Sequence, residues 1–173
     1  MRKLTLLIIL VATAAVALPQ QMQMPKASGP QSDAQKAFEK LKTLAGSWEG
    51  TVMGIPINFT IRAASSGTAI LHEGNTEKGV PNHEITMFYV EGDRLLATHY
   101  CDAGNRPRMT GKMSPDGKTV KFEFLDVAGS TQYGHMHHAI FTFVDANHHI
   151  EDWTFMLAGD KPVHAHFDLQ RTK

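Results

Sequence analysis

Imidazoles dominate the chemistry this sequence could perform, with ten histidines among 173 residues, several of them at spacings that matter. Gly134-His135-Met136-His137-His138 carries three of them, and His164 and His166 form a second H-x-H pair. On a strand, alternate residues share a face, so both rings of such a pair can reach one metal ion or one ligand. His99 and Cys101 repeat that spacing with a thiol as the second donor. Only two donors are in view there, whereas a structural zinc normally takes four, so no metal site is assigned. Asn147-His148-His149 reads as a turn with solvated rings, and no nucleophile-elbow serine, H-E-x-x-H pair or phosphate-cradling glycine loop is present. No catalytic residue is named on these grounds.

Which of these side chains can act depends on the elements that point them. Met1-Arg2-Lys3, an uncharged apolar run from Leu4 to Val16 and the ending Ala15-Val16-Ala17 have the form of a secretory signal peptide over residues 1–17. The run is short for a bilayer span, so the expectation is a protein exported to the periplasm or beyond, with no integral membrane segment once the leader is removed. Residues 18–32, rich in Gln, Pro and small side chains, read as a disordered linker to one domain over residues 33–173. Seventeen basic and seventeen acidic residues balance without a basic stripe, which argues against a nucleic-acid partner. The single cysteine, Cys101, cannot form an internal disulfide, so the fold must rest on its hydrophobic core.

Ser32-Asp33-Ala34-Gln35 has the form of a capping box, followed by Ala37, Phe38, Leu41 and Leu44 at helical spacing; a short amphipathic helix is expected over about residues 33–44, stopped by Gly46. The remainder breaks into ten short strands at about 47–53, 56–63, 68–74, 83–91, 94–102, 106–114, 118–126, 135–145, 148–158 and 163–171, separated by Gly, Pro, Asp and Asn turns. Short connections imply antiparallel neighbours. An antiparallel meander of this length leaves two bare edges unless it closes, so the fold class is an all-β, ten-stranded antiparallel up-and-down barrel behind a short helix.

A two-residue turn at Asp116-Gly117 sets Met113 opposite Val120, Gly111 opposite Phe122 and Met109 opposite Phe124, which makes one clean apolar face. Carried back through "DAGN" and "EGD" with even loops, the same logic places Leu96, Thr98 and Tyr100 inside, then Tyr89, Met87, Ile85 and His83. Val52 and Ile57 are expected to pair across Gly54-Ile55. Ten strands enclose a cavity, because barrel diameter grows with strand number, and methionines would give it an adaptable wall.

Gly46-Ser47-Trp48 entering the first strand after a short helix, with Arg171 on the last strand, resembles the calycin superfamily of lipocalins, fatty-acid-binding proteins and nitrobindin-like barrels. The resemblance implies that Trp48 lies near the closed end with Arg171 packed over it, a cation–π contact across the closure. The passage from Gly92 to Gly117 is also similar to uncharacterised exported bacterial barrels. Haem is the cofactor that the nitrobindin branch would bring. The chain departs from that branch at Val52, where a further glycine would stand, and no motif places a proximal histidine.

An inward Arg171 turns Leu169, Phe167, Ala165 and Val163 inward with it and leaves His164 and His166 outside. Even loops then place Asp152, Thr154 and Met156 inside with His137, Ala139, Phe141 and Phe143, and leave His138 outside. This register exposes Trp153 and Phe155, and one odd loop or bulge would swap the faces. The expected ligand-binding set is therefore His83, Met87, Tyr89, Tyr100, Met109, His137 and Asp152, around a small, mainly apolar molecule. Two other functions stay open: a haem protein or histidine-based enzyme, and a metal-binding or pH-responsive outer face carrying His138, His164 and His166.

Overall fold

The computed structural model describes residues 30–52, 54–76 and 83–172, so the expected signal peptide and most of the expected linker lie outside the described residues. Ser32 caps helix α1 (Asp33–Lys42) through a reciprocal box, its hydroxyl accepting from the Gln35 N–H while the Gln35 side chain accepts from the Ser32 N–H. Ala34, Ala37, Phe38 and Leu41 form the buried stripe of this helix and join the barrel core.

Ten strands follow: β1 (Gly46–Val52), β2 (Ile55–Ala64), β3 (Ala69–Thr76), β4 (His83–Glu91), β5 (Arg94–Tyr100), β6 (Arg106–Met113), β7 (Thr119–Ala128), β8 (His135–Phe143), β9 (His148–Leu157) and β10 (Lys161–Arg171). Each pairs antiparallel with its sequence neighbours, and β1 pairs with β10, which closes the barrel. The expected fold class is thus the observed one.

Closure depends on a narrow seam. Trp48 stands directly opposite Arg171 and Glu49 opposite Gln170. The Arg171 guanidinium lies 4.1 Å from the Trp48 ring centroid, and the Trp48 indole N–H donates to the Leu44 carbonyl at 2.8 Å. Gly50 is where the two strands press closest: a Cβ there would stand 2.4 Å from the Asp168 carbonyl oxygen, so only glycine lets β10 cross over β1.

The centre of the barrel is filled by aromatic rings. Phe88, Phe122 and Phe141 meet with centroids 5.1 to 6.0 Å apart, in tilted and edge-to-face arrangements. Full burial of each such ring stabilises by about 2 to 3 kcal/mol on transfer grounds. Met113 opposite Val120, Gly111 opposite Phe122 and Met109 opposite Phe124 are the observed partners across β6 and β7; the connection is four residues, 115–118, between the bonded Ser114 and Thr119, and being even it gives the register expected of a two-residue turn at Asp116-Gly117.

Two stretches of the expected register are overturned, both for the same reason. The β5–β6 connection is a three-residue loop, Asp102 to Gly104, closed by Cys101 N–H to Asn105 and Gly104 N–H to Cys101. Ala97 therefore faces Met109, and Leu95, Ala97 and His99 turn inward. The β4–β5 turn has the expected two residues, so the slip carries into β4 intact and Thr86 and Phe88 are the buried, inward residues there. Around β9 both flanking loops are likewise odd: Phe143 pairs with His149 and Lys161 with Leu157. Hence His149, Glu151 and Trp153 are buried inside, while β10 keeps its expected facing. Val52 pairs with Ile55, and Gly50 is the partner of Ile57.

Candidate functional site

At the end away from Trp48 the barrel holds a cavity of about 240 Å³. Its apolar wall comes from Val52, Ile57, Phe59, Met136, Ala165 and Phe167, and its polar groups are His72, Glu84, Thr86, His99 and the indole of Trp153. The volume is about half again that of a cavity known to take up benzene, which sets the scale of an occupant at about ten non-hydrogen atoms.

The most deeply buried charge sits beside it. Glu151 is fully buried, and both its oxygens are engaged. Oε1 lies 3.0 Å from His72 Nε2 and 2.9 Å from His149 Nε2; Oε2 lies 3.1 Å from His72 Nε2 and accepts from the Trp153 indole N–H at 2.9 Å. Burial pushes this carboxyl up, but the electrostatic attraction of His72 and the hydrogen bonds from His149 and His72 outweigh it and take Glu151 down to about 2. The His149 ring meets Trp48 edge-on, with centroids 4.1 Å apart. A continuous line of polar and aromatic contacts therefore runs from the Arg171 guanidinium at the closed end to His72 on the cavity wall.

A second polar group stands at the β4–β5 wall. His99 is 3% exposed, its Nδ1 lies 2.8 Å from the Thr86 hydroxyl, and its Nε2 has no hydrogen-bond partner among the described residues. The nearest charged atom, Glu84 Oε2, is 3.7 Å from that nitrogen. Glu84 Oε1 accepts from the Cys101 thiol at 3.6 Å and from the Asp102 N–H at 3.3 Å. Burial raises the Glu84 carboxyl, yet His99, the Asp102 N–H and the Cys101 thiol together hold it below the ordinary carboxylate range. Burial, reinforced by the Glu84 charge, pushes the Cys101 thiol up to about 11.

Of the residues expected at the site, Met109 is inside and fully buried. Met87, Tyr89 and Tyr100 are on the outer face, Tyr100 being 48% exposed, because the three-residue loop reverses β4 and β5. The Tyr89 hydroxyl bonds the Thr98 hydroxyl at 3.1 Å on that outer face. Asp152 is also outside, where its Oδ1 lies 2.6 Å from His166 Nδ1. His137 is the extra residue of a β-bulge between Met136 and His138. The bulge turns Met136 into the cavity, while His137 stacks on Phe124 at 4.9 Å and sets its Nδ1 2.7 Å from that of His138. His83 begins β4, and its side chain lies outside the described residues. The site residues that sequence reasoning missed are His72, Glu84, Thr86, His99 and Glu151. For Glu151 the signal was present: His149, Glu151, Trp153 and Phe155 alternate, and two large aromatics belong inside.

No family model and no curated protein matches this chain. Among solved structures the barrel is similar to Rv2717c of M. tuberculosis, at 15% identity and TM-score 0.56, over 79% of this chain and 98% of that one. It is also similar to a protein of unknown function from the DUF3598 family of Nostoc punctiforme, at 9% identity and TM-score 0.51, over 84% of this chain and 53% of that one. At these identities the likeness is one of fold, and it fits the calycin-type barrel to which Trp48 and Arg171 pointed.

Acid should unfold this interior from two directions. Glu151 titrates lower folded than free, so the stability it confers is complete above the free value of 4.5 and disappears as pH falls towards about 2. His135 and His138 are lowered from 6.5, by burial first and then by the charge of His137, so below that pH the unfolded chain takes up protons more readily and folding weakens. Thermal unfolding followed by near-UV circular dichroism should show a midpoint that falls continuously from about pH 7 to pH 3; a flat profile would contradict both assignments.

Proposed function

We propose that this protein is exported and that its barrel holds a small, mainly apolar molecule bearing one hydrogen-bonding group. The observation that carries this reading is a buried imidazole nitrogen without a partner, His99 Nε2, on the wall of a cavity otherwise lined mostly by apolar side chains. A buried polar atom left unpaired costs about 1 to 3 kcal/mol, and a ligand group that bonds it recovers that energy together with the burial of its own apolar surface. Thr86 orients the ring from behind, and Glu84 beside it favours a ligand group that can donate. The calycin-type architecture supports the same reading, since lipocalins and fatty-acid-binding proteins carry ligands within such barrels.

Haem suits this interior poorly. The porphyrin is several times the size of benzene, whereas the cavity measures about 240 Å³. The Nε2 of His72 is already bonded to Glu151, and Glu84 stands in front of His99 Nε2. Added haem should give no shift of its Soret band that depends on His72 or His99.

Native mass spectrometry of protein purified from its own host should show extra mass, released on denaturation. Indole and p-cresol, as probes of suitable size, should change the emission of Trp153 on binding. Ala165→Leu fills the cavity from β10 and should weaken either probe at least tenfold with little loss of stability. Protein without added mass, and emission indifferent to both probes, would refute the proposal.

A further inference from the structure

Glu84, His99 and Cys101 each offer one metal-ligating atom, and these three atoms lie within 4.8 Å of one another. His99 and Cys101 share the inner face of β5 and its exit, and Glu84 lies across from Cys101, one step beyond the Ile85–Tyr100 pair. Around a tetrahedral ion with bonds of about 2.0 Å to N and O and about 2.3 Å to S, neighbouring donors stand about 3.3 to 3.5 Å apart. Here each carboxylate oxygen of Glu84 faces one of the other donors, Oε2 at 3.7 Å from Nε2 and Oε1 at 3.6 Å from Sγ, so the three groups converge on one point and would draw in slightly around an ion. The first is too long for a hydrogen bond, and it leaves the Nε2 of a ring that is 3% exposed without a partner.

We infer that Glu84, His99 and Cys101 form a binding site for one divalent ion of the zinc class, with its fourth coordination position open to the cavity. The donor set fixes the class: imidazole, thiol and carboxylate together suit borderline ions and not magnesium or calcium. Metal binding selects the tautomer in which the Thr86 hydroxyl accepts from His99 Nδ1–H, which frees the Nε2 lone pair for the ion. Three protein donors are one short of a closed structural centre, so the fourth position is left for water or for a group of the cavity's occupant. Binding replaces the Cys101 S–H bond by a metal–sulfur bond and releases that proton to solvent. The site goes beyond the proposed ligand binding and does not depend on it, because every donor is a side chain of the barrel itself, although ion and ligand would share His99 Nε2.

The test uses reduced protein stripped of small molecules. One equivalent of zinc should slow alkylation of Cys101 by iodoacetamide at least tenfold, and excess EDTA should restore the rate; equal rates with and without zinc overturn the inference in the wild-type protein, without recourse to variants. Cobalt in place of zinc should give a near-ultraviolet thiolate charge-transfer band that is absent from Cys101→Ser and unaffected in the His164→Ala, His166→Ala double variant. Cobalt held by Cys101→Ser with undiminished affinity, read from its visible d–d bands, would place the ion elsewhere and overturn the assignment. Calorimetry should find zinc affinity lowered at least tenfold in His99→Ala and about tenfold in Thr86→Val. Indole binding measured on the same metal-free protein separates the two proposals, since failure of the zinc site leaves that binding untouched.

Discussion

Glu151→Gln is expected to destabilise the protein by about 3 to 5 kcal/mol, the range for breaking a buried ion pair from one side. The substitution keeps the shape but turns one acceptor into a donor. Glu151 receives hydrogen bonds from three side chains, His72, His149 and Trp153. The indole N–H can only donate, so the amide oxygen must serve Trp153 and the amide NH₂ must face the two imidazoles. His149 could accept only by moving its proton to Nδ1, an atom that is buried and has no partner. One unsatisfied donor therefore remains whichever way the amide turns. The melting temperature should fall by roughly 10 °C in a chain of this size. Denaturant unfolding at about pH 7 measures the loss, and the gap from wild type should narrow towards about pH 3, as the unfolded chain takes up a proton below 4.5 that the native carboxyl still excludes. An unchanged midpoint at neutral pH would mean that the cluster is not held as described.

Arg171→Ala should weaken the seam by about 3 kcal/mol, combining a partly buried cation–π contact with charge-assisted hydrogen bonds. The guanidinium donates to the carbonyls of Ala45 at 2.6 Å, Ala146 at 2.8 Å and Thr43 at 3.0 Å while lying over Trp48. It thereby ties the exit of α1 and the β8–β9 loop to the point where β1 meets β10. Arg171→Lys keeps the charge but cannot reach three carbonyls in three directions, so it should recover less than half of the loss. Native-state amide exchange localises the effect: the N–H groups of Arg171 and Thr172, bonded to Asn147 and Ser47, should lose protection before the β6–β7 ladder does. Uniform loss across the barrel would show that Arg171 contributes to global stability without closing the seam in particular.

The closed meander can be read from the chain itself. Turn residues at regular spacing count the strands, a long antiparallel meander must hide its edges, and Trp48 and Arg171 stand opposite each other as the resemblance to calycins implied. The β6–β7 partners came out as expected although the connection is four residues and not the expected two at Asp116-Gly117, because both lengths are even about the same centre. Facing was legible only where one side of a strand is polar. On β3 to β5 both sides are apolar: Leu71, Met87 and Leu96 lie on one, Ile70, Phe88 and Leu95 on the other. Alternation there cannot choose between them.

What remained was decided by loop parity, and parity belongs to the tertiary structure. Asp102 to Gly104 closes in three residues and reverses β5 and β4, the odd loops on both sides of β9 reverse that strand alone, and a bulge sets His137 aside and changes facing only at the start of β8. Composition and spacing thus determined that an apolar barrel would enclose histidines. Which histidines, that His72 would meet Glu151 from a strand far along the chain, and that His99 would meet Glu84 across the β4–β5 hairpin, was settled only when sheet closure made one-residue differences in loop length into differences between inside and outside.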